Sequence, residues 1–346
     1  MAHHSVTSGV PAGLGVVVVG AGFIADCHLA ALAASSRAHV AGVVDIDPAR
    51  ARASARAADS PLWTTDLDEA LSWPEVDAAI VCTPNFTHEA IGLTVLGAGK
   101  HLLVEKPLAT TVAAAGRLLA AAEAAGTTLM AAHTHRFYDY ARAVKDTIDR
   151  GDIGRPVLTR LSLLGGWIWP DWRAWVIDPA RSGGHTLHNG VHLLDLATWW
   201  MDDTPVSVYA RGRKQTAAEL DIDDYLEMTV GYAGGGTAVC EMSRGHRPSS
   251  LDRRDVLVLG TDGVLSLPAE QWGSALIREG GSGTLQPQAT DGFGVQLEAF
   301  LDAIDGGQSL MPPAEAVRAV ALAVAAQQSI ESGQPVELAS AEAGVE

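Results

Sequence analysis

The chain has 346 residues, and its 24 basic against 41 acidic side chains give a formal net charge of −17 at pH 7. Such an acidic balance disfavours nucleic acids and anionic membranes as partners. The hydrophobic content of 47% is ample for the cores of two domains, and no apolar run approaches the roughly 18 residues of a membrane-spanning helix.

The first residues and the cysteines indicate the compartment. Residues 1–14 have neither the basic nor the apolar segment of a secretory signal, and we predict a disordered lead-in there. Cys27, Cys82 and Cys240 lack C-x-x-C spacing, which is typical of a reducing compartment rather than of a disulfide framework. We therefore expect a cytoplasmic protein.

A G-x-G-x-x-A turn follows the first predicted strand. The strand is a run of four valines at 16–19, typical of burial on both faces, and an alanine-rich helix runs from Ile24 to about Ala34. In such a turn the first glycine allows the sharp bend and the second lets the backbone approach a pyrophosphate, while the helix N-terminus favours negative charge. A ligand-free α/β turn would have similar glycines. The predicted dinucleotide contacts here are Gly20, Gly22, Phe23 and Ile24.

An acidic residue ends the next predicted strand, Val40 to Val44. This residue, Asp45, lies twenty positions past Ala25. A carboxylate there accepts hydrogen bonds from both ribose hydroxyls of NAD and repels the 2′-phosphate of NADP. Because Asp45 and Ile46 offer no positive group for that phosphate, we predict NAD rather than NADP as the cofactor. The alternative is that Asp45 only caps a loop.

Strands and helices alternate up to residue 132, which predicts a doubly wound parallel sheet and a dinucleotide-binding domain over residues 15–132. Further strands are predicted at 62–64, 77–82, 101–104 and 128–132, and helices at 48–58, 67–71, 88–97 and 110–125. Ligands of such sheets lie beyond the carboxyl ends of the strands. The predicted cofactor contacts at those ends are Thr83, Pro84, Asn85, His88, Glu105 and Lys106. A helix-start role is the alternative for His88.

The pattern changes after Pro156. Alternating segments at 157–164, 206–211, 226–232, 237–243 and 255–259 predict longer strands, and an amphipathic helix is predicted over 313–333. Residues 133–346 are therefore predicted to form an α+β domain with a mostly antiparallel sheet, used for substrate binding and oligomerisation.

Several motifs together resemble one known family. They are GAGFIA at 20–25, Asp45, CTPNFTH at 82–88, EKP at 105–107 and SGGHTLHNGVHLLD at 182–195. With them the chain resembles the Gfo/Idh/MocA family of glucose–fructose oxidoreductases and inositol dehydrogenases, from Val16 to about Leu338. The resemblance implies an α/β protein, with an N-terminal Rossmann domain followed by a domain with an open-faced, mostly antiparallel sheet. It also implies a homodimer or homotetramer and NAD(P)-dependent oxidoreduction of a sugar or cyclitol hydroxyl. In such enzymes the lysine matching Lys106 and the histidine matching His192 contact the reacting carbinol.

Hydride transfer from an alcohol needs a base for the hydroxyl proton and a cation to stabilise the developing alkoxide. Lys106 is the candidate cation, stiffened by the following proline and oriented by an ion pair with Glu105. If residues 186–200 form one helix, His188, His192 and Asp195 share a face. Asp195 then either fixes a tautomer or serves as a buried structural anchor.

His188 departs from the family pattern, which has aspartate at this position. A histidine removes an anion beside Lys106 and His192, so we expect both to titrate lower than in the usual arrangement. The catalytic base is therefore either His192 or His188. The His-x-x-x-His pair also allows a metal interpretation, but only Asp195 or His185 could add a third ligand, and we predict no metal.

The tryptophan-rich segment at 165–175 contains candidate substrate contacts. Flat apolar rings stack on sugar rings and charged groups bind hydroxyls; an aromatic clasp between domains or subunits is the alternative. Besides Lys106, His188 and His192, the predicted substrate contacts are Trp167, Trp169, Trp172, Arg173 and Trp175.

The sequence therefore predicts an NAD-dependent dehydrogenase that oxidises a hydroxyl of a sugar, anhydrosugar, glycoside or cyclitol, with no nucleic-acid or membrane partner. Two alternatives stay open. One is an NAD-using, redox-neutral glycosidase, which would use the same lysine and histidine. The other is a non-catalytic NAD- and sugar-binding regulator, which would need neither.

Overall fold

The computed structural model describes residues 13–60, 62–166, 175–214, 221–246, 250–267, 274–278, 281–285 and 291–338. The first part of the chain alternates between strands and helices, as predicted. Its strands are β1 (Leu14–Val19), β2 (Ala38–Val44), β3 (Trp63–Thr64), β4 (Ala78–Val81), β5 (His101–Glu105) and β6 (Leu129–Ala132). Its helices are α1 (Phe23–Ala34), α2 (Pro48–Ala57), α3 (Leu67–Leu71), α4 (His88–Gly97) and α5 (Val112–Ala125).

The first sheet is fully parallel and has the strand order β3-β2-β1-β4-β5-β6. The central valines of β1 are buried on both faces, as the apolar run predicted. The chain order reverses between β1 and β4, so the carboxyl ends of the strands open onto a crevice at this point. The predicted doubly wound parallel sheet is confirmed.

The second sheet has nine strands and is mixed. The helices and strands of this second part of the chain are α6 (Asp139–Asp149), β7 (Pro156–Gly166), α7 (Pro179–Ser182), α8 (Val191–Met201), β8 (Pro205–Arg213), β9 (Tyr225–Tyr232), β10 (Thr237–His246), β11 (Asp252–Gly260), β12 (Gly263–Leu267), β13 (Ser274–Arg278), β14 (Gly281–Leu285), α9 (Gly292–Ile304), α10 (Pro313–Ser332) and β15 (Val336–Glu337). The strand order is β14-β13-β12-β11-β7-β10-β9-β8-β15. Within the described strands of this second sheet only β7 and β10 pair in parallel, so the mostly antiparallel sheet is also confirmed.

One face of this second sheet is covered by α8. Cys240 and Met242 of β10 are fully buried on that face, and the Cys240 thiol lies 3.7 Å from the Leu193 carbonyl of α8. Arg160 of β7 and Glu241 of β10 lie on the opposite, more exposed face, where they form an ion pair of 3.4 Å. The alternation of buried and exposed residues along β10 follows from the two-residue period of a strand.

Several elements were absent from the sequence prediction, among them α6, α9 and the short strands after β11. Helix α9 begins with glycine residues and takes its N-cap from Asp291, so its start lacks a strong apolar pattern. It packs onto the first domain, where the Arg37 guanidinium bonds to Glu298, Asp302 and Asp305. Across the described part of the chain, no helix is both long enough and apolar enough to cross a membrane.

Candidate active site

The turn after β1 forms an open cradle at the start of α1. Gly20 has a φ of +97°, and a Cβ atom there would lie 2.8 Å from the Cys82 carbonyl oxygen, so only glycine fits. Gly22 is the N-cap of α1 and makes no side-chain capping bond. No described atom lies within 4 Å of the position its Cβ would take. Uncapped backbone N–H groups therefore border open space, an arrangement that fits a phosphate group.

Asp45 is tied into this turn. Its carboxylate accepts hydrogen bonds of 2.8 Å from the backbone N–H groups of Ala21 and Asp47. The Arg50 guanidinium of α2 lies 3.2 Å from the same carboxylate. Asp45 and Ile46 themselves carry no positive charge, as expected, but Arg50 brings one that the sequence reading missed. Ile46 is 89% exposed beside the cradle.

His88 ties two strand ends together. It is fully buried, and its ring nitrogens lie 2.8 Å and 2.9 Å from the backbone carbonyl oxygens of Pro107 and Thr83. These contacts favour the helix-start interpretation over a cofactor contact. Pro84 precedes a short 3₁₀ turn, Asn85–Thr87, which leads directly into α4.

Lys106 and Glu105 are oriented by different partners from those expected. The Glu105 carboxylate pairs with the His28 ring at 2.9 Å and accepts the backbone N–H of Lys106. The Lys106 ammonium donates instead to the backbone carbonyl of His188, at 2.8 Å. The expected Glu105–Lys106 ion pair is therefore wrong for the conformation described. Burial lowers the pKa of Lys106 to about 8, although the Glu105 charge acts in the opposite direction.

The segment that carries His188 is not the continuous α-helix that was predicted over 186–200. Residues Thr186–Gly190 form a π-helix, and α8 begins only at Val191. In this segment the His188 carbonyl accepts the bond from Lys106. Single π-turns often occur at functional sites, and residue spacing alone does not distinguish them from α-helix.

Asp195 pairs with a buried arginine and not with His192. It forms a bidentate ion pair with the buried guanidinium of Arg136, at 2.6 Å and 2.8 Å, and lies 3.3 Å from the His133 ring. Burial alone would raise the pKa of Asp195, but the Arg136 charge outweighs it and holds the pKa well below its usual range. Of its two interpretations, these contacts favour the buried anchor.

The His188 ring lies at the junction of the two sheets. Its Nδ1 atom is 3.4 Å from the amide nitrogen of Asn85, which also donates to the Ser182 carbonyl at 2.7 Å. The Trp175 ring meets the His188 ring edge to face, with centroids 5.5 Å apart. Burial lowers the pKa of His188 well below its ordinary value, and the charge of Lys106 acts in the same direction.

His192 stacks on a second histidine, His135, that the sequence reading missed. The two ring centroids are 4.3 Å apart, and the His135 ring also contacts the Tyr140 hydroxyl at 3.2 Å. Burial lowers the pKa of His192 well below its ordinary value, and His135 and Lys106 contribute in the same direction. Burial is the first cause of the lowered pKa of both Lys106 and His192, and the expected effect of His188 relative to an aspartate at that position stays a prediction. His135 follows the end of β6. Because ligands of parallel sheets lie beyond the strand ends, this position could have indicated a site residue.

Arg244, near the end of β10, is another residue that the motifs did not indicate. It lines a small cavity together with His185, His188 and Asn189. Within the described residues, no group of three or more His, Cys, Asp or Glu side chains is placed to hold a metal ion.

Most of the tryptophan-rich segment lies outside the described residues, which resume at Trp175. The predicted substrate contacts Trp167, Trp169, Trp172 and Arg173 fall in that gap. Trp175 begins a short 3₁₀ turn and contacts His188 as described above.

Comparisons with known proteins agree with this architecture. Residues 14–133 match the oxidoreductase family with an NAD-binding Rossmann fold, and residues 141–266 match the GFO/IDH/MocA C-terminal domain. Inositol 2-dehydrogenase 1 of Saccharopolyspora erythraea is 30% identical, with 93% of this chain and 96% of that protein covered. Inositol 2-dehydrogenase of Rhizobium meliloti is 29% identical, covering 93% and 98%. The crystal structure of GenD2 from gentamicin A biosynthesis, in complex with NAD, has a TM-score of 0.82 at 29% identity, covering 96% and 98%. The chain therefore belongs to the GFO/IDH/MocA family of NAD-binding oxidoreductases.

Proposed function

We propose that the protein is an NAD-dependent dehydrogenase that oxidises a hydroxyl of a sugar, anhydrosugar, glycoside or cyclitol. The observation that carries the proposal is the Lys106 ammonium, which is bonded to the His188 carbonyl at the carboxyl end of the first sheet. Alkoxide formation needs a cation to stabilise the developing negative charge and a neutral base to accept the proton, and a buried cation beside neutral histidines meets both needs. Relatives named inositol 2-dehydrogenases support a cyclitol or sugar as the substrate.

The cofactor would lie across the cradle after β1. Gly20 and Gly22 would border the pyrophosphate, Asp45 would accept the ribose hydroxyls, and the exposed side chains of Phe23 and Ile46 would flank the adenosine. Bound NAD supplies the hydride acceptor.

Lys106 and the side chains around it would supply the base and the charge stabilisation that the reaction needs. In this proposal His192 accepts the hydroxyl proton, and Lys106 stabilises the negative charge that develops on oxygen. The His188 ring contacts Trp175, and we propose that Trp167, Trp169, Trp172 and Arg173 contribute contacts to the sugar ring and its hydroxyls. We further propose a cytoplasmic homodimer or homotetramer that associates through the second sheet.

A substrate screen tests the proposal. Monosaccharides, anhydrosugars, cyclitols and glycosides are incubated with the protein and NAD, and NADH formation is followed. A dehydrogenase forms NADH in step with oxidised product. Glycoside cleavage without accumulating NADH would favour the redox-neutral glycosidase, and ligand binding without turnover would favour the regulator.

The cofactor preference is expected to depend on Asp45. NAD should bind at least about tenfold more tightly than NADP, because the carboxylate accepts ribose hydroxyls and repels a 2′-phosphate. Asp45→Ala should narrow this gap, since it also frees Arg50, now 3.2 Å from the carboxylate. Calorimetric titration of both cofactors measures the gap.

The double variant Asp45→Ala/Arg50→Ala is the matched control for this prediction. It should lose the part of the gain in NADP affinity that the freed Arg50 guanidinium contributes, and keep the part that comes from removing the repulsive carboxylate. Equal affinities for NAD and NADP in the unaltered protein would contradict the assignment of Asp45.

In the pH–rate profile of hydroxyl oxidation, we expect the fall in rate on the alkaline side to reflect deprotonation of the Lys106 ammonium. Its pKa of about 8 leaves the ammonium charged below pH 8 and neutral above, so kcat/KM is expected to fall as the pH rises through this value. On the acid side, the fall should lie below the ordinary histidine value, because the pKa of His192 is lowered. Lys106→Arg should move the alkaline limb upward, because arginine stays charged. A rate that instead rises through pH 8 would show that the neutral amine acts as the base.

A further inference from the structure

The covered face of the second sheet changes from apolar to charged toward one end. Register pairing aligns Leu161 of β7 with Cys240 and Val256, and all three are buried. The next row on the same face contains Leu163, Met242 and Arg254. Beyond it Gly165 pairs with Asp252, and the register of β10 shifts after Ser243, where the Arg244 side chain comes to lie over Gly165. The sheet therefore presents Arg244 and Arg254 at this end, and Arg244 lies beside His188 and Asn189 of the π-helix.

The Arg244 side chain lies across Gly165. A Cβ atom on that glycine would be 2.9 Å from the Arg244 Nη1 atom, so the glycine leaves the room that the guanidinium occupies. The Nε–H group of Arg244 is fully enclosed and has no hydrogen-bond partner among the described residues. An enclosed donor of this kind is costly unless a ligand satisfies it.

Three carboxylates lie nearby. Asp223 and Asp224 line the same cavity as Arg244, and burial lowers the pKa of Arg244 while the charge of Asp252 acts in the opposite direction. The carboxylate of Asp252 lies 3.5 Å from Arg254. The carboxylate of Asp223 is directed toward Gly212 of β8. The backbone N–H of Arg244 donates to the backbone carbonyl of Asp224 at 3.2 Å.

A second cation lies close to the Arg244 cavity. His188 lines this cavity with its neighbour Asn189, and the His188 carbonyl holds the Lys106 ammonium at 2.8 Å. Burial and the neighbouring positive charges lower the pKa of His188, and they lower that of His185 to about 4. Both rings are therefore neutral, so the cations of this region are Arg244 and Lys106, and the lining of the cavity also contains Asp223 and Asp224.

We propose that Arg244 binds a carboxylate of the substrate, so that the preferred substrate is an acidic sugar such as a uronate. The inference rests on the proposed dehydrogenase function and narrows its substrate class. A guanidinium offers two parallel N–H donors to the two oxygens of a carboxylate. The enclosed donor of Arg244 gains its partner, and Lys106 remains available for the reacting hydroxyl at the other side of His188.

Matched pairs of sugars test this with NADH-loaded protein. Glucuronate and glucose, and galacturonate and galactose, share a ring and differ by the carboxylate, and calorimetry measures their binding without turnover. We expect each acid to bind at least about tenfold more tightly than its neutral partner. Arg244→Met should weaken the binding of the acid at least about tenfold and change that of the neutral sugar less than about twofold. Arg244→Lys should retain part of the preference.

Arg160→Met is the control, because it removes an arginine from the opposite face of the same sheet. It should leave the acid preference unchanged, and thermal melting checks that both variants are folded. An acid that binds no more tightly than its neutral sugar, or a phosphorylated sugar that binds more tightly than the uronate, overturns the inference. If neutral sugars then yield NADH, the dehydrogenase function still stands. Arg244-dependent binding of uronates with no NADH from any sugar would instead support the inference and reject the dehydrogenase function.

Discussion

Lys106→Ala is expected to lower kcat on the best substrate by about 100-fold or more, because it removes a cation that acts mainly as the alkoxide develops. Lys106 bonds to the His188 backbone rather than to Glu105, so its loss leaves the Glu105–His28 pair intact. NAD affinity should therefore change far less than kcat. Steady-state kinetics and calorimetric titration of NAD measure the two effects separately.

Lys100→Ala is the matched control for this variant. The Lys100 ammonium also donates to a backbone carbonyl, that of Val76 at 2.7 Å, but it lies at the opposite end of β5. Removing it should leave kcat essentially unchanged. Near-normal turnover in the Lys106 variant would mean that the proposed charge stabilisation is wrong for this chain.

His192→Asn is expected to be far more damaging than His188→Asn, with a loss in kcat of about 100-fold or more. Gly190, Val191 and His192 fit the family segment, whereas His188 stands where the family has aspartate. The contacts agree with this division, since the His188 ring meets Asn85 and the His192 Nδ1 atom has no hydrogen-bond partner among the described residues. Comparing kcat of the two asparagine variants decides which ring is the base. An equally severe loss in the His188 variant would assign the base to His188.

His188→Asp extends this test to the electrostatics of the site. The new carboxylate favours the imidazolium form of His192, so the acid limb of the pH–rate profile should move upward. In the unaltered protein that limb lies low, because burial and the Lys106 charge lower the pKa of His192. A folded, active His188→Asp protein with an unshifted acid limb would reject the electrostatic account.

The sequence by itself determined the first sheet and the outline of its crevice. The four valines of β1, the glycine turn and Asp45 are local patterns, since each depends on residues adjacent in the chain and on a regular period. The same holds for the alternating strands β7 to β11, whose two-residue period indicated one covered and one open face. Short strands such as β15 and the helix α9, which starts with glycine, carry too little pattern to be detected this way.

Only the tertiary structure decided which groups meet in the crevice. Glu105 pairs with His28, and Asp195 pairs with Arg136, across 77 and 59 residues of chain. His135 stacks on His192, and Arg244 reaches the His188 cavity from the second sheet. A side chain chooses its partner by the packing of elements that are remote in sequence, and the period of a single element carries no information about that packing. For the same reason the π-helix at Thr186–Gly190, in which the His188 carbonyl meets Lys106, was not visible in the spacing of its residues.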